Sequence, residues 1–202
     1  MITTLGERER TGIATREQQA GVTIIELMIV IVIAGILMAV TVPMFEESMQ
    51  RNRKLSAFEM VTGMVSSARS EAVSRATDVS LCASADTKTC GGNWEEGALM
   101  FEDTDGDGTI DRGDETLRIF GAAGTDITIR RRIAGTVVNT PMTFDRFGGL
   151  DNAGTFVVCN ANGVATASGI VLNASGQARL ATDDTGSGVI NLENYAELGA
   201  CP

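Results

Sequence analysis

No histidine occurs anywhere in the chain. That absence removes Ser-His-Asp and Cys-His nucleophile pairs, His-ligated zinc and imidazole-based pH switching. Aromatic residues make up only 4% of the sequence and prolines number 3. Basic residues are outnumbered too, 16 Lys and Arg against 26 Asp and Glu, for a formal net charge of −10. A globally acidic molecule is a poor default partner for phosphate backbones or anionic lipid surfaces. With no nucleophile–base constellation visible, an ordinary soluble enzyme is the weaker reading. What the chain does have is glycine, 23 in 202 residues, within a composition that is 44% hydrophobic. So high an apolar fraction excludes a disordered chain, and glycine in that setting points to turns between short strands. The length suits one domain with appendages.

Residues 1–21 are polar, with Arg8, Arg10 and Arg16 balanced by Glu7, Glu9 and Glu17. From Val22 to Val42 the chain is apolar except for Thr23, Glu26 and Thr41. At 1.5 Å per helical residue this run spans roughly 31 Å, the thickness of a bilayer core. A cleaved secretory signal is the competitor, but its apolar region runs only about 7 to 15 residues and ends at a small-residue site. No such site follows Val42, so the sequence predicts a single membrane-spanning helix. Arginine and lysine counts do not orient it, because Arg51, Arg53 and Lys54 follow the span much as three arginines precede it.

Glu26 lies just inside this helix, where an uncompensated carboxylate costs several kcal/mol or drives its own protonation. It either snorkels to the interface or meets a partner. Its setting, Gly21-Val22-Thr23-Ile24-Ile25-Glu26-Leu27-Met28, resembles the processing site of type IV prepilins and type II secretion pseudopilins. The resemblance implies that residues 1–21 are a leader cut off between Gly21 and Val22 by a prepilin peptidase in the inner membrane. Val22 becomes the N-methylated first residue and Glu26 the fifth, where its carboxylate neutralises the N-terminal amine of a neighbouring subunit during assembly. The same resemblance places the N-terminus in the cytoplasm and the remainder in the periplasm. It also puts a helix kink at Pro43, a residue that lacks an N–H and clashes with the preceding turn.

Beyond Pro43 the helical pattern continues. Phe58, Val61, Val65, Ala68 and Ala72 recur at steps of three and four, while Arg69, Ser70, Glu71 and Ser74 turn away. This predicts a core-facing amphipathic helix over residues 43–76, in which Gly63 has no assigned role. After Thr77 the period becomes two. Strands are predicted at Val79–Ser84, Gly97–Phe101, Thr116–Phe120, Ile127–Arg132, Met142–Phe147, Thr155–Cys159, Ile170–Leu172 and Gln177–Ala181, separated by Gly, Asn and Asp clusters. One long helix followed only by strands implies an α+β fold, the helix laid on an antiparallel β-rich domain over 77–202.

Several segments resemble the GspH/FimT-like minor pilins and pseudopilins in particular. They are Ala68-Arg69-Ser70-Glu71-Ala72, Val79-Ser80-Leu81-Cys82, Trp94-Glu95-Glu96-Gly97 leading into Leu99-Met100-Phe101-Glu102-Asp103, and Gly154-Thr155-Phe156-Val157-Val158-Cys159. The resemblance implies a filament subunit without enzymatic activity. Its partners would be other minor subunits, the major subunit, the peptidase and the inner-membrane assembly platform. The filament would be either a secretion pseudopilus or a type IV pilus.

The four cysteines are Cys82, Cys90, Cys159 and Cys201. An even count in an exported domain reads as disulfides. Of three pairings, Cys82–Cys90 with Cys159–Cys201 is preferred, because the first closes a short glycine-bordered loop and the second pins the C-terminus to a strand. Zinc is disfavoured by the missing C-x-x-C spacing.

The segment from Asp103 to Asp114 matches the EF-hand calcium loop. Asp103, Asp105, Asp107, Asp111 and Asp114 fall at ligand positions, with the Thr109 carbonyl as a further oxygen and Gly108 at the turn. Asp114 is shorter than the usual glutamate and the flanks read as strands. A structural calcium ion and an acidic turn loop both fit the sequence, and no cofactor is required.

Arg130-Arg131-Arg132 is the one basic run. Strand alternation puts Arg130 and Arg132 on one face, which reads as a solvated edge strand. Some FimT-like proteins bind DNA through a Gly-Arg-x-Arg motif. Gly176-Gln177-Ala178-Arg179 keeps one of its two arginines, so Arg130, Arg132 and Arg179 are the residues of a DNA-binding alternative that the acidic charge opposes. A membrane-anchored enzyme is the remaining alternative.

Overall fold

The computed structural model describes residues 21–161, 163, 166–183, 190 and 201. Two compact units divide between Met44 and Phe45. Helix α1 covers Ile24–Arg75. Among the described residues nine strands follow: β1 Val79–Ala83, β2 Ala98–Glu102, β3 Glu115–Phe120, β4 Ile127–Ile133, β5 Thr136–Val138, β6 Met142–Phe144, β7 Thr155–Asn160, β8 Ser168–Leu172 and β9 Ala178–Leu180. This is the α+β arrangement, a long N-terminal helix packed on antiparallel sheets. Of the leader expected over residues 1–21, residues 1–20 lie outside the described residues.

In the first unit the helix begins at a cap. The Glu26 N–H donates to Thr23 Oγ1 at 3.3 Å and the Leu27 N–H to the Thr23 carbonyl at 3.2 Å. The Thr23 side chain thereby satisfies one amide, that of Glu26, that the first turn leaves without a helical partner, while its carbonyl accepts the first intrahelical bond. Ile24, Leu27, Ile31, Ile36 and Met38 are all more than half exposed. The helix of this unit is thus long and apolar enough to cross a membrane.

In the second unit the remainder of α1 buries Val61, Met64, Val65, Ala68 and Ala72. That stripe meets two antiparallel sheets, ordered β3-β2-β1-β6 and β5-β4-β7-β8-β9. Leu81, Met100 and Phe144 reach it from the first sheet, and Ile129, Phe156, Ile170 and Leu172 from the second. Trp94 is fully buried and meets Phe156 edge to face at 4.9 Å between ring centroids, a favoured aromatic geometry. The helix stops because Ala76 turns left-handed, φ 56°, and the Thr77 N–H bonds back to the Ala72 carbonyl at 3.3 Å. This is the six-to-one bond of a Schellman ending, built here without the usual glycine.

The elements depart from the expected ones in three places. β5 was not expected; it arises from a two-residue hairpin, Ala134-Gly135, with both φ values positive at 48° and 82°. That geometry suits the twist of paired strands, but alanine gives no sequence signal for it. β6 stops at Phe144 rather than Phe147. Asp145 Oδ1 accepts the N–H groups of Phe147 and Gly149 at 2.8 and 2.9 Å and bends the chain away. Lastly, β4 is not an edge strand, because β5 and β7 flank it.

Candidate functional site

Gly21 and Val22 lie outside the helix and are exposed. Glu26 sits in the first turn of α1, where a carboxylate is favoured by the amide dipoles. Among the described residues its carboxylate has no hydrogen bond or ion pair within the chain. Pro43 lies within α1. The motif residues therefore come together as a capped, exposed apolar helix carrying one carboxylate.

The sheets position the acidic loop between β2 and β3. Asp103 is buried, and its Oδ2 accepts from Ser80 Oγ on β1 at 2.6 Å and from the Gly108 N–H at 3.0 Å. Its Oδ1 accepts the Gly106 N–H at 2.9 Å. Ser80 Oγ also lies 2.7 Å from Thr143 Oγ1 on β6. A polar string through the first sheet thus fixes the first acid of the loop. Asp105 and Asp107 are exposed, and each can bring a carboxylate oxygen within 4.8 Å of the others and of Asp103. Asp114 does other work: it accepts the N–H groups of Thr104 and Asp111, both at 3.0 Å, and closes the base of the loop. Asp111 has its pKa raised, by partial desolvation first and then by Asp105, Asp114, Asp107 and Asp103. Of the six expected ligands, the structure gathers three carboxylates, a donor set that fits a hard cation.

Cys82 is bonded to Cys90, with Cα atoms 5.5 Å apart, and Cys159 to Cys201 at 5.9 Å. The first bridge encloses Asp86. Its carboxylate accepts the N–H groups of Lys88 and Thr89 at 2.9 and 2.8 Å and the Thr89 hydroxyl at 2.8 Å. Those donors hold its pKa far below the ordinary carboxylate value.

The arginines do not form one surface. Arg130 Nη1 donates to both carboxylate oxygens of Glu95 at 2.6 and 2.5 Å, and Glu95 also accepts the Ile129 N–H at 3.2 Å. Glu95 thus caps the stretch of β4 that the short β5 does not reach, which corrects the reading of a solvated edge. Arg131 points into the protein and is fully buried; its guanidinium donates to the carbonyls of Thr140 at 3.1 Å and of Asn152. Arg132 donates to the Gly135 carbonyl at 3.2 Å. Arg179 is exposed on β9, with β7 and β8 between it and β4. At about 4.8 Å per strand that is roughly 14 Å of separation.

Sequence reasoning missed Glu95, whose burial and pairing leave no periodic signal, and Arg69. The latter was expected to turn away. Instead its Nε donates to the carbonyls of Gly148 at 3.1 Å and Ser175 at 3.3 Å, tying two turns to the helix. Gly176 permits this close approach, since a Cβ there would collide with the Gly148 carbonyl and touch Arg69. Beside this clamp a cleft of about 820 Å³ runs between α1 and the β8–β9 hairpin.

Comparison with known proteins adds the following. The family described as Type II transport protein GspH matches residues 59–176, and the prokaryotic N-terminal methylation motif matches residues 16–42. No curated protein matches the chain. Among solved structures, the type IV minor pilin FimU of Pseudomonas aeruginosa is similar at 26% identity and a TM-score of 0.52, covering 65% of this chain and 90% of FimU. A second crystal form of FimU aligns at 21% identity and a TM-score of 0.45, covering 63% and 90%. The minor pseudopilin EpsH from the type 2 secretion system of Vibrio cholerae aligns at 12% identity and a TM-score of 0.41, covering 63% and 94%.

Proposed function

The chain belongs to the GspH family of type II transport proteins, and from that membership we propose that it is a minor subunit of a secretion pseudopilus or type IV pilus. The observation that carries the proposal is Glu26, set in the first turn of an exposed apolar helix directly after the Gly21–Val22 step. In this reading the peptidase removes residues 1–21 and Val22 is methylated. The helix holds the subunit in the inner membrane with its N-terminus cytoplasmic and its head in the periplasm. On assembly, burial makes an unpaired Glu26 carboxylate costly, and the amine of a neighbouring subunit offsets that cost. Pro43 would let the helix bend as it leaves the membrane. The subunit acts by packing with other minor and major subunits, not by catalysis.

The acidic loop is read as a calcium position of structural role, with Asp103 as the ligand fixed by the sheet and Asp105 and Asp107 closing on the ion. Asp111, Asp114 and Thr109 would follow from the EF-hand spacing. A bound cation would relieve the repulsion by neighbouring carboxylates that, after desolvation, adds to the raised Asp111 pKa.

The test is co-expression of the full chain with a prepilin peptidase, followed by intact-mass measurement of the membrane-extracted protein. The expected mass is that of residues 22–202 plus one methyl group. A chain left at full length, or cut elsewhere, overturns the processing assignment. In sheared filament fractions, Glu26→Ala should be processed yet absent; its presence at wild-type level overturns the assembly role.

A further inference from the structure

The cleft beside the Arg69 clamp carries two features that the filament reading leaves unused. The first is an open strand edge. The Asn173 N–H bonds to the Gln177 carbonyl at 3.1 Å and the Ala181 N–H to the Gly169 carbonyl at 2.8 Å. These bonds put residues 177, 179 and 181 into the ladder, so the N–H and C=O groups of Ala178 and Leu180 point outward. Among the described residues β9 has β8 as its one neighbour, and it is exposed along its length. Such an edge is a template for another strand. The edge at β3 differs: its register against β2 shifts opposite Met100/Phe101, leaving Leu117 out of the ladder, and Arg75 lies 4.0 Å from Glu115.

The second feature is charge. In a chain with 26 acidic and 16 basic residues, the described residues that line the cleft include Arg69 and Arg179 and no acidic side chain. Arg69 spends its Nε on the two turn carbonyls, and its Nη groups have no partner among the described residues. The turn it clamps presents Arg146 and Phe147, the latter 83% exposed. Two Asp145 hydrogen bonds and the bond from Arg69 already fix this turn, so little freedom is lost when a partner covers it. Val73 and Leu180 are also half exposed nearby in the same unit.

We propose that this cleft binds an extended acidic peptide segment, which adds a strand to β9 and sets its carboxylates against Arg69 and Arg179. Main-chain bonds to Ala178 and Leu180 supply affinity, and the arginines select sign of charge. The edge favours a polypeptide over DNA, because outward N–H and C=O groups in alternation match another strand and the rest of the protein repels a phosphate chain. The proposal rests on the filament reading only for the source of the segment, a neighbouring subunit; binding itself is a property of this head.

The experiment uses the full chain in detergent micelles and a fluorescein-labelled octapeptide of alternating glutamate and valine, followed by anisotropy. Saturable binding is expected, weakened about tenfold or more by Arg179→Glu. It should be lost when alternate peptide amides are N-methylated, which removes strand pairing without touching the protein. Absence of binding, equal binding of a lysine-valine octapeptide, or indifference to both N-methylation and Arg179→Glu overturns the proposal. Tighter binding of a labelled DNA duplex that competes with the peptide also overturns it. Because no filament is involved, these outcomes are read separately from processing and assembly of the Glu26 variant.

Discussion

Glu95 offers a measurable use of one side chain in two structural tasks. It neutralises Arg130 and accepts the Ile129 N–H, and the two side chains retain only 16% and 17% of their exposure. Glu95→Ala leaves a guanidinium largely withdrawn from water and a strand amide without an acceptor. Breaking a buried pair from one side costs about 3–5 kcal/mol and an orphaned amide about 1–3 kcal/mol. The two costs overlap, and residual exposure lets water reach Arg130, so the expected loss is about 3 kcal/mol. For a unit of this size that lowers the melting temperature by roughly 6–12 °C. Glu95→Gln keeps an acceptor for Ile129 and should lose about half as much. Trp94, the sole tryptophan, is fully buried next to Glu95 in sequence, so its fluorescence reports unfolding of the full chain in detergent. A cycle with Arg130→Met isolates the pair. A loss below about 1 kcal/mol for Glu95→Ala, or a coupling energy near zero, would refute the reasoning, since an exposed pair is worth that little.

Four further outcomes follow from the geometry. Ala76→Gly should raise stability by about 0.5–1 kcal/mol, because glycine adopts the left-handed helix ending without strain; thermal unfolding reads it, and a loss of stability contradicts the cap. Replacing Cys159 and Cys201 by serine should cost about 4 kcal/mol and replacing Cys82 and Cys90 about 2–3 kcal/mol, given sequence separations of 42 and 8; denaturant titration of the two variants tests the order. In chelator, Asp111→Asn should raise the melting temperature near neutral pH. The raised folded pKa, from desolvation first and carboxylate repulsion second, means the wild type loses stability as pH rises through it and regains it on acidification, so the gain should vanish at acid pH, and a constant gain argues against both causes. Calcium titration calorimetry of the wild type should show binding that Asp103→Asn weakens about tenfold or more; no heat at millimolar calcium removes the ion.

Periodicity made the helix and eight of the strands legible, because Val61, Val65, Ala68 and Ala72 face one core and the strands alternate toward it. β5 was invisible because its hairpin turns on an alanine at positive φ, a residue chosen by context and not by propensity. The arginine run shows the other limit. Alternation correctly separates Arg131 from its neighbours, but nothing local says that the inward member is the largest buried charge or that Glu95, 35 residues away from Arg130, covers the strand. Such facts depend on which distant segment crosses the sheet. The acidic loop lies between these cases: its spacing was readable, while the diversion of Asp114 to backbone amides was not.

The Thr23 cap has a consequence for proteolysis. A peptidase must draw its substrate into an extended form, and a bond wound inside a helical turn has to be unwound first. By ending the helix at residue 23, the threonine leaves the Gly21–Val22 amide in non-helical chain. On the processing scheme proposed above, Thr23 is therefore a fence: it keeps the apolar helix from growing upstream over the scissile bond, so the enzyme meets non-helical chain and not a helical turn.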